Sequence, residues 1–163
     1  MKRNLFALAA CACIHVADAS AAQCNVGAVT MNFGPYVGAQ VNVAQNIRIT
    51  CSATLPPPER VNYEVRLSPG LGNSFAQRRM QRSGLPLDTL PYNLYLGSVP
   101  AVLNTNVWGD GTGGTRVWQG SMNLSTGQPT RTDTNTIAAA VPAGTVPSTG
   151  AYGDAVTATI IFR

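Results

Sequence analysis

The chain has 163 residues, the length of about one domain. Only 11% of them are charged, less than half the ~25% of an ordinary soluble domain. With 45% hydrophobic residues and a formal net charge of +4, it is neither a disordered polyelectrolyte nor a strongly basic nucleic-acid binder, and it has no apolar run of about 18 residues to cross a membrane as a helix.

The first segment reads as an export signal. Met1-Lys2-Arg3-Asn4 is a short positive stretch, Leu5 to Ile14 an apolar one, and Ala19-Ser20-Ala21 a small-x-small peptidase site. Residues 1–22 are therefore expected to be a signal peptide cleaved after Ala21 or Ala22, with 23–163 as one domain and no integral membrane segment left behind. Leu8-Ala9-Ala10-Cys11 has the outline of a lipoprotein box, but the apolar stretch before Cys11 is shorter than such a signal needs. Cleavage removes the only lysine, Lys2, and the only histidine, His15. It also removes Cys11 and Cys13, so Cys24 and Cys51 remain, and two cysteines in an exported chain read as one disulfide.

Beyond the signal the apolar period is two. Val29, Met31 and Phe33 alternate, then Val41 and Val43, and after an interruption at Gln45, Ile47, Ile49 and Cys51. Val61, Tyr63, Val65 and Leu67 follow. Gln77 to Arg82 holds three arginines and no apolar alternation, and is expected to be a solvated loop. Tyr92, Leu94 and Leu96, the pair Val117-Trp118, the run Ile137, Ala139 and Val141, and the closing run Val156, Ala158, Ile160 and Phe162 complete the set. Pro56-Pro57-Pro58, Ser68-Pro69-Gly70, Gly109-Asp110-Gly111 and the stretch from Pro147 to Gly150 separate them as turns. About seven short strands with Gly/Pro turns predict an all-β antiparallel sandwich or barrel.

Catalytic chemistry is scarce. Without histidine or lysine in the mature chain there is no Ser-His-Asp triad, no His-based zinc site, no phosphate-loop lysine and no Schiff-base amine. Gly109 to Gly114 is glycine-rich, but it lacks the lysine and the strand-to-helix setting of a phosphate loop and the alternating acids of a calcium loop, so a hairpin loop is expected. The six remaining acids are scattered; Asp110 and Asp154 sit in turns, where aspartate is common. No enzyme activity, cofactor or metal is expected. Asn123-Leu124-Ser125 matches a glycosylation sequon, a weak signal.

Specific strings carry a resemblance. Arg79-Met80, Leu90-Pro91-Tyr92-Asn93-Leu94-Tyr95, Trp108-Gly109-Asp110-Gly111-Thr112-Gly113-Gly114-Thr115 and Gly150-Ala151-Tyr152-Gly153-Asp154 follow in order, ahead of the closing alternating strand. From Cys24 to Phe162 the chain resembles the spore coat protein U domain family, whose members include subunits of archaic, Csu-type chaperone–usher pili. The resemblance implies an incomplete immunoglobulin-like sandwich lacking its last strand, with Cys24–Cys51 as the family's disulfide between the first two strands. It also implies partners: a periplasmic chaperone that lends a strand, an outer-membrane usher, and neighbouring subunits that later replace the lent strand. Val156, Ala158, Ile160, Phe162 and Arg163 are then the edge that a chaperone reads, and nothing after Arg163 completes the sheet. At most Ala22-Gln23 precede Cys24, so the subunit is expected to accept a strand without donating one, which places it at a fibre tip. Surface binding would fall to end loops, with Leu85, Leu87, Trp108 and Trp118 as candidates, although core packing is the favoured reading of both tryptophans. The competing readings are a stand-alone extracellular coat or matrix protein of the same domain, and a carbohydrate-binding module.

Overall fold

A computed structural model describes residues 22–97 and 105–162; residues 1–21, which hold nearly all of the expected signal peptide, residues 98–104 and Arg163 lie outside the described residues. The described residues form nine strands and no helix: β1 (Ala22–Val26), β2 (Val41–Ala53), β3 (Glu59–Leu67), β4 (Arg78–Arg82), β5 (Leu85–Leu96), β6 (Trp118–Leu124), β7 (Thr130–Val141), β8 (Tyr152–Gly153) and β9 (Ala158–Phe162). They make two antiparallel sheets, one ordered β1-β2-β7-β5-β4-β8 and the other β6-β3-β9.

The period-two pattern accounts for most of this. On β3, Val61, Tyr63, Val65 and Leu67 are buried and the residues between them are not, and Ile47, Ile49 and Cys51 repeat the pattern on β2. Each strand therefore buries one face against the other sheet, as a sandwich requires. The closing run begins as a strand at Ala158, two residues later than its first apolar residue, Val156. A T-shaped aromatic chain ties the sheets' interior together: Tyr63 meets Trp118 at 5.6 Å and Trp118 meets Trp108 at 6.1 Å between ring centroids. Trp108 is fully buried, its indole N–H donating to the Val65 carbonyl at 3.0 Å. The Tyr63 hydroxyl crosses between sheets to the Asp133 carboxylate, and burial, then this carboxylate, push its pKa up. Gly120 lies so close that a Cβ there would sit 2.2 Å from the Tyr63 oxygen.

Two expectations fail. Gln77 to Arg82 is not a solvated loop: residues 78–82 are β4, paired with both β5 and β8, and Arg78 is fully buried. An arginine on the inward face reads as polar in the sequence, and here its charge is met by hydrogen bonds inside the fold. Val29, Met31 and Phe33 alternate as expected and pack against the core, yet residues 27–40 belong to no strand. Alternation reports which side chains face inward, not whether the backbone has a ladder partner.

Cys24 and Cys51 are direct partners in the β1–β2 register and form the disulfide, with an S–S distance of 2.08 Å. Its sequence separation of 27 gives roughly 3–4 kcal/mol from the chain-entropy model. Reduction is expected to lower the unfolding free energy by about that amount, read from denaturant unfolding of oxidised and reduced protein with each m-value fitted separately, because opening the loop expands the unfolded chain. A shift under about 1 kcal/mol would show that β1 is held by its ladder alone.

Candidate strand-accepting groove

After β1 the chain leaves β2: the Gly27 amide still donates to the Arg48 carbonyl at 2.8 Å, and residues 28–38 then run over the core as an extended lip. Val29, Met31 and Phe33 point inward from it, and Phe33 meets the Tyr92 ring edge-on at 6.0 Å. On the other side, residues 144–157 descend to β9, with β8 hydrogen-bonded to β4 on the way. Between these two flanks lies an apolar cleft of about 1160 Å³, floored by Ile47, Leu67, Met80, Leu90, Leu94 and Ile137.

β9 forms one wall and, among the described residues, is laddered only to β3. The register fixes what it presents on the other. Ser68 donates its amide to the Thr157 carbonyl at 2.9 Å, across the β3–β9 pair that matches Leu67 with Ala158. Because antiparallel neighbours alternate between hydrogen-bonded and non-hydrogen-bonded pairs, Ala158, Ile160 and Phe162 turn their N–H and C=O groups away from β3, toward the cleft side. The side chains of Val156, Ala158, Ile160 and Phe162 pack against the core from the same strip. Those four predicted edge residues thus lie together; Arg163 lies outside the described residues.

The groove's polar corner is built by Asp154. Its carboxylate accepts from the Tyr92 hydroxyl at 2.6 Å, the Leu71 amide at 2.8 Å and the Ala155 amide at 2.7 Å. Burial first, and then Asp154, raise the Tyr92 pKa well above the usual phenol range, so this hydroxyl stays a donor. Gly70, at φ +75°, is obligatory beside it, since a Cβ would lie 2.3 Å from the Asp154 oxygen. Beneath this corner the Arg78 guanidinium donates to the Ser68 carbonyl at 2.9 Å, Asn93 Oδ1 at 2.7 Å and the Trp108 carbonyl at 2.8 Å, and stacks over Phe75. Burial lowers its pKa, partly offset by the nearby Tyr92 and Asp154.

The motif strings serve this frame. Tyr92, Asn93, Leu94 and Tyr95 are consecutive buried residues of β5: Tyr92 and Leu94 line the cleft, Asn93 receives Arg78, and Tyr95 packs on Ala138 and Ala140 on the opposite side of the sheet. Trp108 opens a loop that the Asp110 carboxylate closes by accepting from the Thr112 amide and hydroxyl, which hold its pKa below the usual range. Gly111, Gly113 and Gly114 take positive φ in that loop, and the Thr115 hydroxyl accepts from the Gly111 amide while donating to the Thr112 carbonyl. Gly109 packs so tightly on Thr115 that its Cβ would lie 2.7 Å away. Among the end-loop candidates, Trp108 and Trp118 are core, whereas Leu85 is 53% and Leu87 98% exposed at the start of β5.

Sequence reasoning missed Arg78 and Asp154 as members of one frame. Positions 70 to 71, 92 and 154 meet only after folding, and no spacing in the chain announces them.

The profile of the Spore Coat Protein U domain matches residues 10–159. No curated protein matches. Among solved structures, the chain is similar to one in the chaperone–tip adhesion subunit pre-assembly complex (CsuC–CsuE) of archaic chaperone–usher Csu pili of Acinetobacter baumannii, with a TM-score of 0.53 at 23% identity, over 85% of this chain and 39% of that one. It thus spans about two fifths of that chain's length. A chaperone–tip adhesin complex of CFA/I fimbriae biogenesis gives a TM-score of 0.49 at 12% identity, covering 84% of this chain and 41% of that one, a likeness too slight to build on.

Proposed function

Because the chain belongs to the Spore Coat Protein U domain family, we propose that it is a structural or adhesive subunit of a chaperone–usher pilus, exported through the periplasm and completed by a strand from another protein. The observation that carries this reading is the groove: a cleft with an apolar floor whose β9 wall, among the described residues, is laddered on its β3 side alone. Strand addition at such an edge gains main-chain hydrogen bonds, and the alternate side chains fill the cleft. Left without a strand, the same edge invites aggregation, which is the physical need a chaperone meets. The partners are a periplasmic chaperone, an outer-membrane usher and neighbouring subunits. No catalytic role is assigned; the groove's carboxylate, Asp154, is engaged in holding the fold together.

The subunit accepts a strand and does not lend one, which fits a fibre tip. Residues 22–26, next to the expected cleavage site, are committed to β2 by ladder and disulfide and so are not free to be lent. Co-expression with a chaperone–usher chaperone in a bacterial periplasm is expected to yield a soluble 1:1 complex whose subunit begins at Ala22 or Gln23. A monomer that unfolds normally without any chaperone would favour the stand-alone coat or matrix protein instead. Insertion of this chain's N-terminus into another subunit would overturn the tip assignment.

A further inference from the structure

The groove is bounded at both ends, and its two closures are unequal. At one end β1 lies beside β9, and β1 is laddered to β2 along its whole length and bonded covalently through Cys24–Cys51. At the other end the lip is tied to the segment after β7 by hydrogen bonds between irregular stretches. The Tyr36 hydroxyl donates to the Pro142 carbonyl at 2.7 Å and accepts from the Thr145 amide at 3.2 Å, while the Gly144 amide donates to the Gly38 carbonyl at 2.9 Å. Neither stretch belongs to a strand at these positions.

A strand seated in the cleft against β9 has to take over the floor that the lip side chains Val29, Met31 and Phe33 now pack on. The floor is already covered without one: Ile47, Leu67, Leu90 and Ile137 are each 5% exposed or less. The lip side chains Val29, Met31 and Phe33 therefore cover much of the surface an inserted strand would cover. The disulfide end does not yield without breaking a covalent bond and a ladder. The Tyr36 end yields by losing a few hydrogen bonds, and local openings of this kind lie far below the free energy of global unfolding.

We infer that Tyr36 is the clasp of a gate: it holds the lip over the apolar floor in the empty protein, and it is released when a strand of alternating apolar residues is seated. The inference rests on the reading of this groove as a strand acceptor, and it makes Tyr36 a positioning residue that acts on the lip. Its hydroxyl contributes to the closed form alone, so removing it favours the open one.

Two measurements on the full mature protein and its Tyr36→Phe variant decide the matter. The first is amide hydrogen exchange. Gly144 and Thr145 are expected to exchange at least 100-fold faster than the β2–β7 ladder amides, and Tyr36→Phe to speed Thr145 several-fold further with the ladder unchanged. Exchange of Gly144 and Thr145 as slow as the ladder would show that no separate opening exists, and would overturn the inference. The second is titration with a synthetic peptide of alternating valine and threonine, flanked by lysines for solubility. Tyr36→Phe is expected to tighten binding and quicken uptake by roughly three- to ten-fold, the effect of one hydrogen bond lost only from the closed form. Weaker or unchanged binding by the variant would overturn it. If neither protein takes up the peptide or a chaperone strand, the acceptor reading itself fails, and the exchange result still decides whether Tyr36 gates a local opening.

Discussion

Replacing Arg78 with leucine is expected to lower the unfolding free energy by about 3–5 kcal/mol, a large part of the roughly 5–15 kcal/mol that a domain has. Two effects oppose each other. Removing a buried cation relieves a desolvation cost, and swapping a complete buried charge network for apolar residues is often neutral or stabilising. Leucine removes only the donor. The Ser68 carbonyl, Asn93 Oδ1 and the Trp108 carbonyl stay buried, and each unsatisfied acceptor costs about 1–3 kcal/mol. Asn93 keeps a local bond from the Leu94 amide, which softens one of the three. The orphaned acceptors therefore outweigh the relief. Arg78→Lys is expected to recover part of the loss, because an ammonium keeps the charge but cannot reach three acceptors set around a planar fork. Denaturant midpoints at constant m-value measure both variants. A leucine variant within about 1 kcal/mol of the parent would mean that water or a shifted backbone satisfies those carbonyls.

Arg78 also marks where sequence patterning stops being informative. Strands β2, β3, β7 and β9 follow from a period of two because their inward positions are apolar, and an apolar residue facing a core needs no specified partner. β4 hid because its inward residues are Arg78 and Met80, so its signal depended on acceptors 10, 15 and 30 residues away. β1 hid for another reason: its polar residues leave only Ala22, Cys24 and Val26 on the inner side, and its place is set by the disulfide and the β2 register. In the lip, the alternation of Val29, Met31 and Phe33 was legible and correctly marks the inward face. The absence of a ladder beside it is a property of tertiary placement, and that property is what makes the groove. The residues of the candidate edge were legible for the same reason as any half-buried strand. Which of them turn their backbone outward was not, because that parity depends on the register with β3.

That parity yields the sharpest test of the groove. Ala158→Pro is expected to leave the fold standing while weakening strand acceptance by about 10–100-fold. Proline is tolerated on an edge strand where its missing N–H faced away from the ladder, and Ala158 pairs with Leu67 at a position that bonds outward. The incoming strand would lose one hydrogen bond and keep a carbonyl without a partner, about 1–3 kcal/mol, and the ring would stand in its path. Thr159→Pro is the counterpart. Thr159 pairs with Arg66 at a position that bonds inward, so proline there removes a β3–β9 bond and is expected to cost about 3 kcal/mol of stability. The two substitutions are neighbours in sequence and alike in chemistry, and differ in the side toward which the lost N–H pointed. Melting temperature and yield of chaperone complex, measured on both, separate them: Ala158→Pro stable but poor in complex, Thr159→Pro unstable on its own. If both variants destabilise the protein equally, β9 is held on two sides and has no open edge. If both are stable and bind normally, strand acceptance does not run through β9, and the groove serves some other ligand or none.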